Sequence, residues 1–266
     1  MTSTSHQRMH RHPGMPWAEL RVSVQNNNCY RLHTHAEYSI GIVDEGKALF
    51  RHSHGTEALQ AGSVVLLEPH VAHSCNPVHQ TGWSYRMLYV DATWLHQAMA
   101  RHWGLDEPLQ ALAFQRRTLH DTASGRKVDH LCQPVCSAND AATRAIALVN
   151  WLSQIAHPST LNDHTPADLW PAWQLLQADT NVRITVQAMA KACHMSASKF
   201  IRRFTVAHGM TPGHFMRNQR VNGARQMIGQ GAPLADVAHA MGFADQAHLQ
   251  RIFKAHHAIT PGRYTR

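Results

Sequence analysis

The stretch FADQAHLQRIFKAHHAITPGRY, residues 243–264, decides the fold of the carboxyl-terminal part of this 266-residue chain, because an upstream stretch repeats its pattern. Residues 195–215 read MSASKFIRRFTVAHGMTPGHF. Phe204 matches Phe253 at a step of 49 residues, and a Thr-Pro-Gly sequence follows each of them after the same interval. The repeat predicts two copies of one helical unit.

Each copy has the pattern of a short helix, a tight turn and a second helix, which is the helix-turn-helix arrangement. We predict the first unit over about residues 185–208, with Thr185 and Ser196 as helix caps. The second unit is predicted over about residues 234–256. A connecting helix over residues 213–229 would join the two units.

The charge of the chain is concentrated in the same region. Residues 1–166 hold 13 Lys and Arg against 13 Asp and Glu, whereas residues 167–266 hold 12 against 4, which accounts for the net charge of +8. A compact basic module attached to a neutral one indicates a polyanionic partner for the carboxyl-terminal part. A merely basic, solvated surface is the alternative.

Basic and polar residues collect on the second helix of each unit, as Arg202 and Arg203 do in the first and Gln246 and Arg251 do in the second. A helix fits the major groove of DNA, where such side chains hydrogen-bond to base edges. A plain helical bundle is the competing interpretation, but it does not explain the basic excess. The spacing of Phe200, Phe204, Leu249 and Phe253 predicts that they are core residues.

The first part of the chain has the pattern of a small β-barrel or sandwich. Short strands are predicted at 38–43, 47–52, 63–67 and 83–91, separated by turns that contain glycine. Helical periodicity appears at 93–103 and again at 138–156, and residues 157–166 are the best candidate for a linker.

Composition excludes several classes of protein. Apolar residues make up 44% and charged residues 16%, which is ordinary globular composition. The sequence contains no run of about 18 apolar residues, so no membrane span is predicted. The amino terminus lacks the apolar core of a signal peptide. The odd count of five cysteines indicates reduced thiols in the cytoplasm.

A cluster of histidines marks the barrel. On a strand, alternation directs His33, His35 and Glu37 to one face, and His73 follows a later strand. Imidazoles and a carboxylate that converge inside a barrel are typical ligands of a divalent metal such as Zn, Ni, Fe or Mn. Histidines that only pack or form hydrogen bonds are the alternative, because the chain has 23 of them.

Two parts of the sequence resemble known families. The string GFADQAHLQRIFK, 242–254, followed by TPGRY, 260–264, resembles the signature of the AraC/XylS family of bacterial transcription regulators. The resemblance covers residues 167–266 and implies two helix-turn-helix units that enter successive major grooves. Residues 20–92 resemble a cupin barrel, the effector domain of many AraC-family members, although Glu37 lies closer to His35 than metal-binding cupins usually place it.

The AraC resemblance assigns roles by position in the motif. It implies that bases are read by Ser198, Ile201 and Arg202 in the first unit and by Gln246, Ala247, His248 and Arg251 in the second. It places Lys199, Arg203 and Lys254 at phosphates, which position the protein without specifying sequence.

The cupin resemblance implies an effector pocket in the barrel. Its predicted lining is His33, His35, Glu37, Tyr38 and His73. A metal, if one binds, is predicted at His33, His35, Glu37 and His73.

These patterns together predict an α+β chain of four parts. They are a flexible arm at 1–19, a cupin-like effector domain at 20–118, a helical linker or dimerisation segment at 119–166 and an AraC-type DNA-binding domain at 167–266. In the segment near 138–156, Trp151 and its apolar neighbours are predicted either to contact a second copy of the chain or to pack within one chain.

The predicted function is regulation of transcription by a single cytoplasmic chain, in which the barrel binds a small molecule or metal and the basic domain binds promoter DNA. The family resemblance implies an activator that contacts RNA polymerase and has no membrane partner, with a homodimer as one possible state. A metal-dependent cupin enzyme with an appended DNA-binding domain is the alternative from another class. A DNA-packaging protein without a sensor is the third interpretation.

Overall fold

The computed structural model describes residues 6–53, 55–78, 82–160, 165–178, 184–257 and 259–264. Within them, a β-rich amino-terminal part precedes a helical carboxyl-terminal part. The strands are β1 (His6–His10), β2 (Ala18–Asn26), β3 (Tyr38–Glu45), β4 (Lys47–His52), β5 (Gly55–Gln60), β6 (Val64–Leu67), β7 (His73–Pro77), β8 (Trp83–Val90), β9 (Ala111–Phe114), β10 (Thr118–Leu119) and β11 (Ala156–Ser159). The helices are α1 (Ala92–His102), α2 (Thr122–Leu131), α3 (Ala138–Ile155), α4 (Trp170–Gln177), α5 (Val186–Ala192), α6 (Ala197–His208), α7 (Pro212–Gly229), α8 (Leu234–Ala240), α9 (Gln246–His257) and α10 (Pro261–Tyr264).

The β-rich part is built mainly on two antiparallel sheets, and β9 and β11 pair in a third, two-stranded one. One has six strands in the order β1-β2-β8-β3-β6-β10, and the other has three in the order β5-β4-β7. Val43 and Tyr85 of the larger sheet meet Phe50 and Leu59 of the smaller one in a shared buried cluster. The predicted barrel or sandwich is therefore present as two sheets around an apolar core.

The outer face of the larger sheet is covered by α1, α2 and α3. Ile40 and Leu88 of the sheet share a buried cluster with Leu95 of α1 and Trp151 of α3. This second layer explains why β3 is apolar on both faces. The segment predicted as a linker or dimerisation segment thus packs on the barrel, with Trp151 only 4% exposed, while Ile146 on the same helix is 62% exposed.

The amino terminus differs from the prediction of a flexible arm. β1 pairs with β2 in register from His6 opposite Val24 to His10 opposite Leu20. The backbone hydrogen bonds of the sheet edge account for this order, and polar composition alone could not reveal them. Residues 1–5 of the predicted arm lie outside the described residues.

The two predicted helix-turn-helix units are present as α5–α6 and α8–α9, joined by the predicted connecting helix α7. The two predicted caps of the first unit are confirmed, because the side chain of Thr185 accepts the N–H of Ala188 and that of Ser196 accepts the N–H of Lys199. Gly209 ends α6 in the left-handed conformation, with φ of 72°.

The four predicted core residues are confirmed, and they divide between two hydrophobic cores. Phe200 and Phe204 lie in the cluster of the first unit, and Leu249 and Phe253 lie in that of the second. Helix α7 supplies Phe215 to the first cluster, and its later residues supply the second. Each unit therefore has its own core, and α7 fixes the two relative to each other.

No helix among the described residues is long and apolar enough to cross a membrane.

Candidate functional site

The predicted DNA-contacting side chains lie on α6 and α9, the second helices of the two units. All ten are exposed except His248, which is half-buried. The other side of each helix carries the buried phenylalanines and leucine of the core. One side of each helix is thus fixed and the other faces solvent, as insertion into a major groove requires.

His248 has one ring nitrogen already in use. The N–H of Ala244 donates to Nδ1 of His248 at 3.3 Å, and Asp245 Oδ1 accepts the backbone N–H of His248 at 2.6 Å. In a neutral imidazole, an accepting Nδ1 leaves the proton on Nε2. His248 therefore offers a hydrogen-bond donor to a base edge or a phosphate.

Arg203 is engaged within the chain. Its Nε and Nη2 donate to the two carboxylate oxygens of Asp168 at 2.8 and 3.1 Å. The hydrogen bond from Arg203 lowers the pKa of Asp168. Both side chains are more than one-third exposed, so solvent screens the pair. Asp168 thus orients the guanidinium and offsets part of its charge.

The barrel docks on α7 through Thr34, which lies between two histidines of the predicted effector site. The carbonyl of Thr34 accepts from Nδ2 of Asn218 at 2.7 Å and from Nδ2 of Asn222 at 3.0 Å. The N–H of Thr34 donates to Oδ1 of Asn218 at 3.3 Å. These buried contacts connect the barrel directly to the helix that joins the two DNA-binding units.

A buried ion cluster reinforces the docking. Arg225 of α7 donates to Glu19 Oε2 at 2.8 Å and to Oε1 of Glu37, and the hydroxyl of Tyr264 donates to Glu19 at 2.8 Å. Burial opposes the charge of Arg225, but the two carboxylates outweigh it and raise the pKa of Arg225. Glu37 therefore forms part of the interface between the barrel and α7. The structure does not bring it into the histidine cluster.

The end of α9, the second helix of the second unit, is also hydrogen-bonded to the barrel. Arg21 of β2 donates to the carbonyl of His257, the last residue of α9, at 2.8 Å. The same guanidinium is held by the hydroxyl of Tyr30 at 2.6 Å and by Gln7 at 2.8 Å. A change in the barrel can thus reach α9 as well as α7.

His33, His35 and His73 form a buried cluster whose possible ligand atoms lie within 4.8 Å of one another. Nδ1 of His33 faces the carbonyl of Arg31 at 2.7 Å, and Nδ1 of His73 faces that of Val71 at 2.9 Å. Donation to these carbonyls leaves both Nε2 atoms with lone pairs. Burial lowers the pKa of His33 to about 3 and that of His73 to about 4, so the imidazoles are neutral and able to hold a cation.

A separate cavity of about 580 Å³ lies between the barrel, α1 and the first DNA-binding unit. Of the predicted effector residues, only Tyr38 lines it, and the three clustered histidines and Glu37 do not. The hydroxyl of Tyr38 is hydrogen-bonded to Nε2 of His96 at 2.8 Å. The structure therefore separates the predicted single site into a histidine cluster, an ion cluster and a cavity.

Sequence reasoning missed the residues that form these junctions. Trp173 and His208 line the cavity from α4 and α6, and Arg225 enters the ion cluster from α7. Their neighbours lie far away in sequence, so helical periodicity identifies them only as positions on a helix. A lone buried arginine opposite two glutamates has no signature in local sequence.

The fold and its sites define a protein with two helix-turn-helix units and a ligand-binding barrel. Residues 189–266 match the profile of a helix-turn-helix domain, and residues 19–149 match that of an AraC-like ligand binding domain. The chain belongs to the AraC family of transcriptional regulators.

Individual relatives agree with this assignment. The chain is 24% identical over 230 residues to the HTH-type transcriptional regulator YbfI of Bacillus subtilis, covering 82% of this chain and 80% of that protein. It is 23% identical over 244 residues to the MmsAB operon regulatory protein of Pseudomonas aeruginosa, covering 86% and 75%. The structure of unsaturated fatty acid bound ToxT from Vibrio cholerae has the same fold, with a TM-score of 0.60 at 12% identity over 99% of this chain and 95% of that one.

Proposed function

We propose that this regulator binds promoter DNA through the exposed sides of α6 and α9. The proposed base readers are Ser198, Ile201, Arg202, Gln246, Ala247, His248 and Arg251, and the proposed phosphate contacts are Lys199, Arg203 and Lys254. The observation that supports this assignment is that both helices bury one side in their own core and expose the other. The basic excess of residues 167–266 supplies attraction to the phosphates.

Selection of bound sequences from a random duplex library with the full chain tests this proposal. We expect an enriched motif with two blocks separated by about one helical turn, about 34 Å. A double variant, Arg202→Ala with Arg251→Ala, should lose the motif. The charge-matched control, Arg101→Ala with Arg126→Ala, removes two exposed arginines of α1 and α2 and should keep it. A motif that survives the first double variant would contradict the assignment.

We further propose that the chain activates transcription in the cytoplasm through contact with RNA polymerase, with a regulatory rather than a catalytic role. Family membership supports this part of the proposal. Transcription in vitro from a template that carries the selected motif tests it. An increase over a template with a scrambled motif is expected, and a decrease would indicate repression.

A homodimer is proposed through α3. Its exposed Ile146 supports this contact, because a large apolar side chain that is 62% exposed loses contact with water at an interface. Ile146→Lys should convert the dimer to a monomer in light scattering, whereas Ala235→Lys, at an exposed site on α8, serves as the control. If light scattering gives both variants the mass of a single chain, the proposal is contradicted.

A divalent metal at His33, His35 and His73 is a candidate effector of the barrel. The observation that favours it is three buried imidazoles whose possible ligand atoms lie within 4.8 Å of one another, two of them with Nδ1 facing a backbone carbonyl. A metal bound there would act one residue from Thr34, which clamps α7. Elemental mass spectrometry of the full chain and of His35→Ala tests it. About one equivalent of metal, lost in the variant, is expected, and a metal-free chain would leave only an organic effector.

A further inference from the structure

The cavity between the barrel and the first DNA-binding unit has walls from both halves of the chain. The barrel contributes Tyr38 and His70, while α4 contributes Trp173 and α6 contributes Ala207 and His208. Its volume of about 580 Å³ lies within the usual range for small-molecule sites, about 300–1,000 Å³. Since α6 is the first recognition helix, an occupant would touch the barrel and a DNA-binding helix at once.

One wall of the cavity is aromatic. The rings of Trp173 and His208 are stacked, with centroids 5.1 Å apart and an angle of 13° between planes, and the ring of His70 stands edge-on to Trp173 with centroids 5.5 Å apart. Phe215 backs both Trp173 and His208. Flat rings held by their neighbours form a rigid surface on which a planar ligand can stack.

The same wall carries hydrogen-bonding capacity that the described residues do not use. Nδ1 of His70 and Nε2 of His208 are buried without a partner among them. Trp173 Nε1 and Thr165 Oγ1 are also buried without a hydrogen-bond partner among the described residues. Both residues line the cavity. Buried polar atoms are normally hydrogen-bonded, so four such atoms in residues that line one cavity favour an occupant with hydrogen-bonding groups.

Among the described residues that line the cavity, the charges are balanced. Glu68 accepts from Arg117 at 2.7 Å and from the N–H of Phe114 at 3.1 Å, so the one carboxylate and the one guanidinium satisfy each other. Burial lowers the pKa of His208 to about 4, so His208 is neutral at pH 7. A ligand with net charge would find no free counter-ion among the described residues that line this apolar space, and it would lose its hydration.

From these observations we propose that the cavity binds a small, planar, uncharged molecule that carries hydrogen-bonding groups, stacked on Trp173, and that this ligand holds the barrel against α6. The inference rests on the proposed function, because it makes this ligand the effector of the regulator. The cavity exists only while both walls are in place. The ligand therefore favours the docked arrangement and shifts the population towards it.

A matched pair of probes tests the ligand class. 2-Naphthol is planar, uncharged at pH 7 and able to donate and accept one hydrogen bond, and 2-naphthoate has the same rings with a carboxylate. Titration of the full chain, followed by nuclear magnetic resonance of the protein, should show saturable binding of 2-naphthol and binding of 2-naphthoate weaker by about tenfold or more. Equal or tighter binding of the anion would overturn the ligand class.

Two variants locate the site. Ala36 lines the cavity, and Ala36→Phe should fill part of it and weaken 2-naphthol binding by about tenfold or more, whereas Ala123→Phe on the exposed start of α2 should not. His208→Phe keeps a stacked ring, removes its nitrogens and should also weaken binding. No saturable binding to the folded chain, or binding unchanged by Ala36→Phe, would overturn the proposal and indicate a cavity that holds water.

The same samples separate this proposal from the proposed function. Affinity for the selected duplex is measured with and without saturating 2-naphthol. Intact DNA binding without probe binding would overturn the cavity proposal alone, and absent DNA binding in the folded chain would overturn the proposed function. A change in DNA affinity on probe binding, lost in Ala36→Phe, is the expected result.

Discussion

Glu37 of the barrel and Arg225 of α7 form a buried ion pair, 188 residues apart in sequence, that joins the ligand-binding part to the DNA-binding part. The side chain of Arg225 is only 5% exposed and that of Glu37 is 13% exposed. A buried guanidinium needs its carboxylates, because an unpaired charge in such a place is strongly unfavourable. The pair therefore specifies how the two parts fit together.

Glu37→Gln should destabilise the docked arrangement. We expect a loss of about 1–3 kcal/mol in the free energy of unfolding, because Arg225 would keep Glu19 as a partner and lose only one of its two carboxylates. Denaturant unfolding followed by tryptophan fluorescence measures it. Glu107→Gln, at an exposed site, is the control. Equal stability of the two variants would show that the pair contributes little.

Much of the DNA-binding part could be predicted from sequence because its signals are local. The caps at Thr185 and Ser196 and the spacing of Phe200 and Phe204 depend only on neighbours within one or two helical turns. The barrel strands were predictable for the same reason. These features required no knowledge of how the two parts dock.

The candidate site was predictable only in part, since its geometry depends on contacts between distant segments. Strand alternation placed His33, His35 and Glu37 on one face, whereas the structure brings His33 and His35 together with His73 and pairs Glu37 with Arg225. In the structure only His73 occupies a strand, while His33 and His35 precede β3 in an irregular segment, where alternation no longer applies. Arg225 then determines the position of Glu37, and no pattern within one element encodes that pairing.

Arg251→Ala tests the assignment of a base reader. A bidentate contact of arginine with guanine contributes about 1–3 kcal/mol of discrimination, so affinity for the selected duplex should fall by this amount and specificity should relax at one base pair. Fluorescence anisotropy with the selected duplex and its single-base variants measures both. Arg126→Ala removes the same charge from exposed α2 and should change neither. A uniform loss across all duplexes would instead identify Arg251 as a phosphate contact.

Asp168→Asn should strengthen DNA binding without regard to sequence. The change releases Arg203 from its bidentate pair and removes a negative charge beside the proposed phosphate contacts. We expect the slope of log affinity against log salt to steepen by about one, the value for one added phosphate contact. Asp236→Asn, exposed on α8, is the control for charge alone. An unchanged slope would show that Arg203 contacts DNA while still paired, or not at all.

His208→Phe should reduce the sensitivity of the fold to acid. Burial lowers the pKa of His208 to about 4 in the folded state, below the ordinary value of about 6.5 that applies when the chain is unfolded. The neutral form therefore stabilises the fold fully above pH 6.5, and this contribution is lost as pH falls towards 4. Denaturant midpoints between pH 7 and 4 should fall less in the variant than in the parent chain. His239→Gln, exposed on α8, should follow the parent, and an equally steep fall in His208→Phe would contradict the prediction.

The turns of the two helix-turn-helix units differ at one equivalent position. His194 in the first turn has φ of 53°, and Gly242 in the second has φ of 67°. A residue with a Cβ atom pays a steric cost in this left-handed region that glycine avoids, although glycine loses more backbone entropy on folding. We expect His194→Gly to stabilise the first unit by about 0.5–1 kcal/mol and Gly242→Ala to destabilise the second by a similar amount.

Thermal unfolding of both variants measures this prediction, and hydrogen exchange shows which unit responds. Gly213→Ala, in the first turn of α7 where an added Cβ would meet open space, is the control for a change of glycine without positive φ. His194 is exposed and its side chain is not needed for the core, so the gain should leave affinity for the selected duplex unchanged. A loss of DNA affinity in His194→Gly would instead reveal that the imidazole itself contacts DNA, and a loss of stability would show that its left-handed conformation carries no strain.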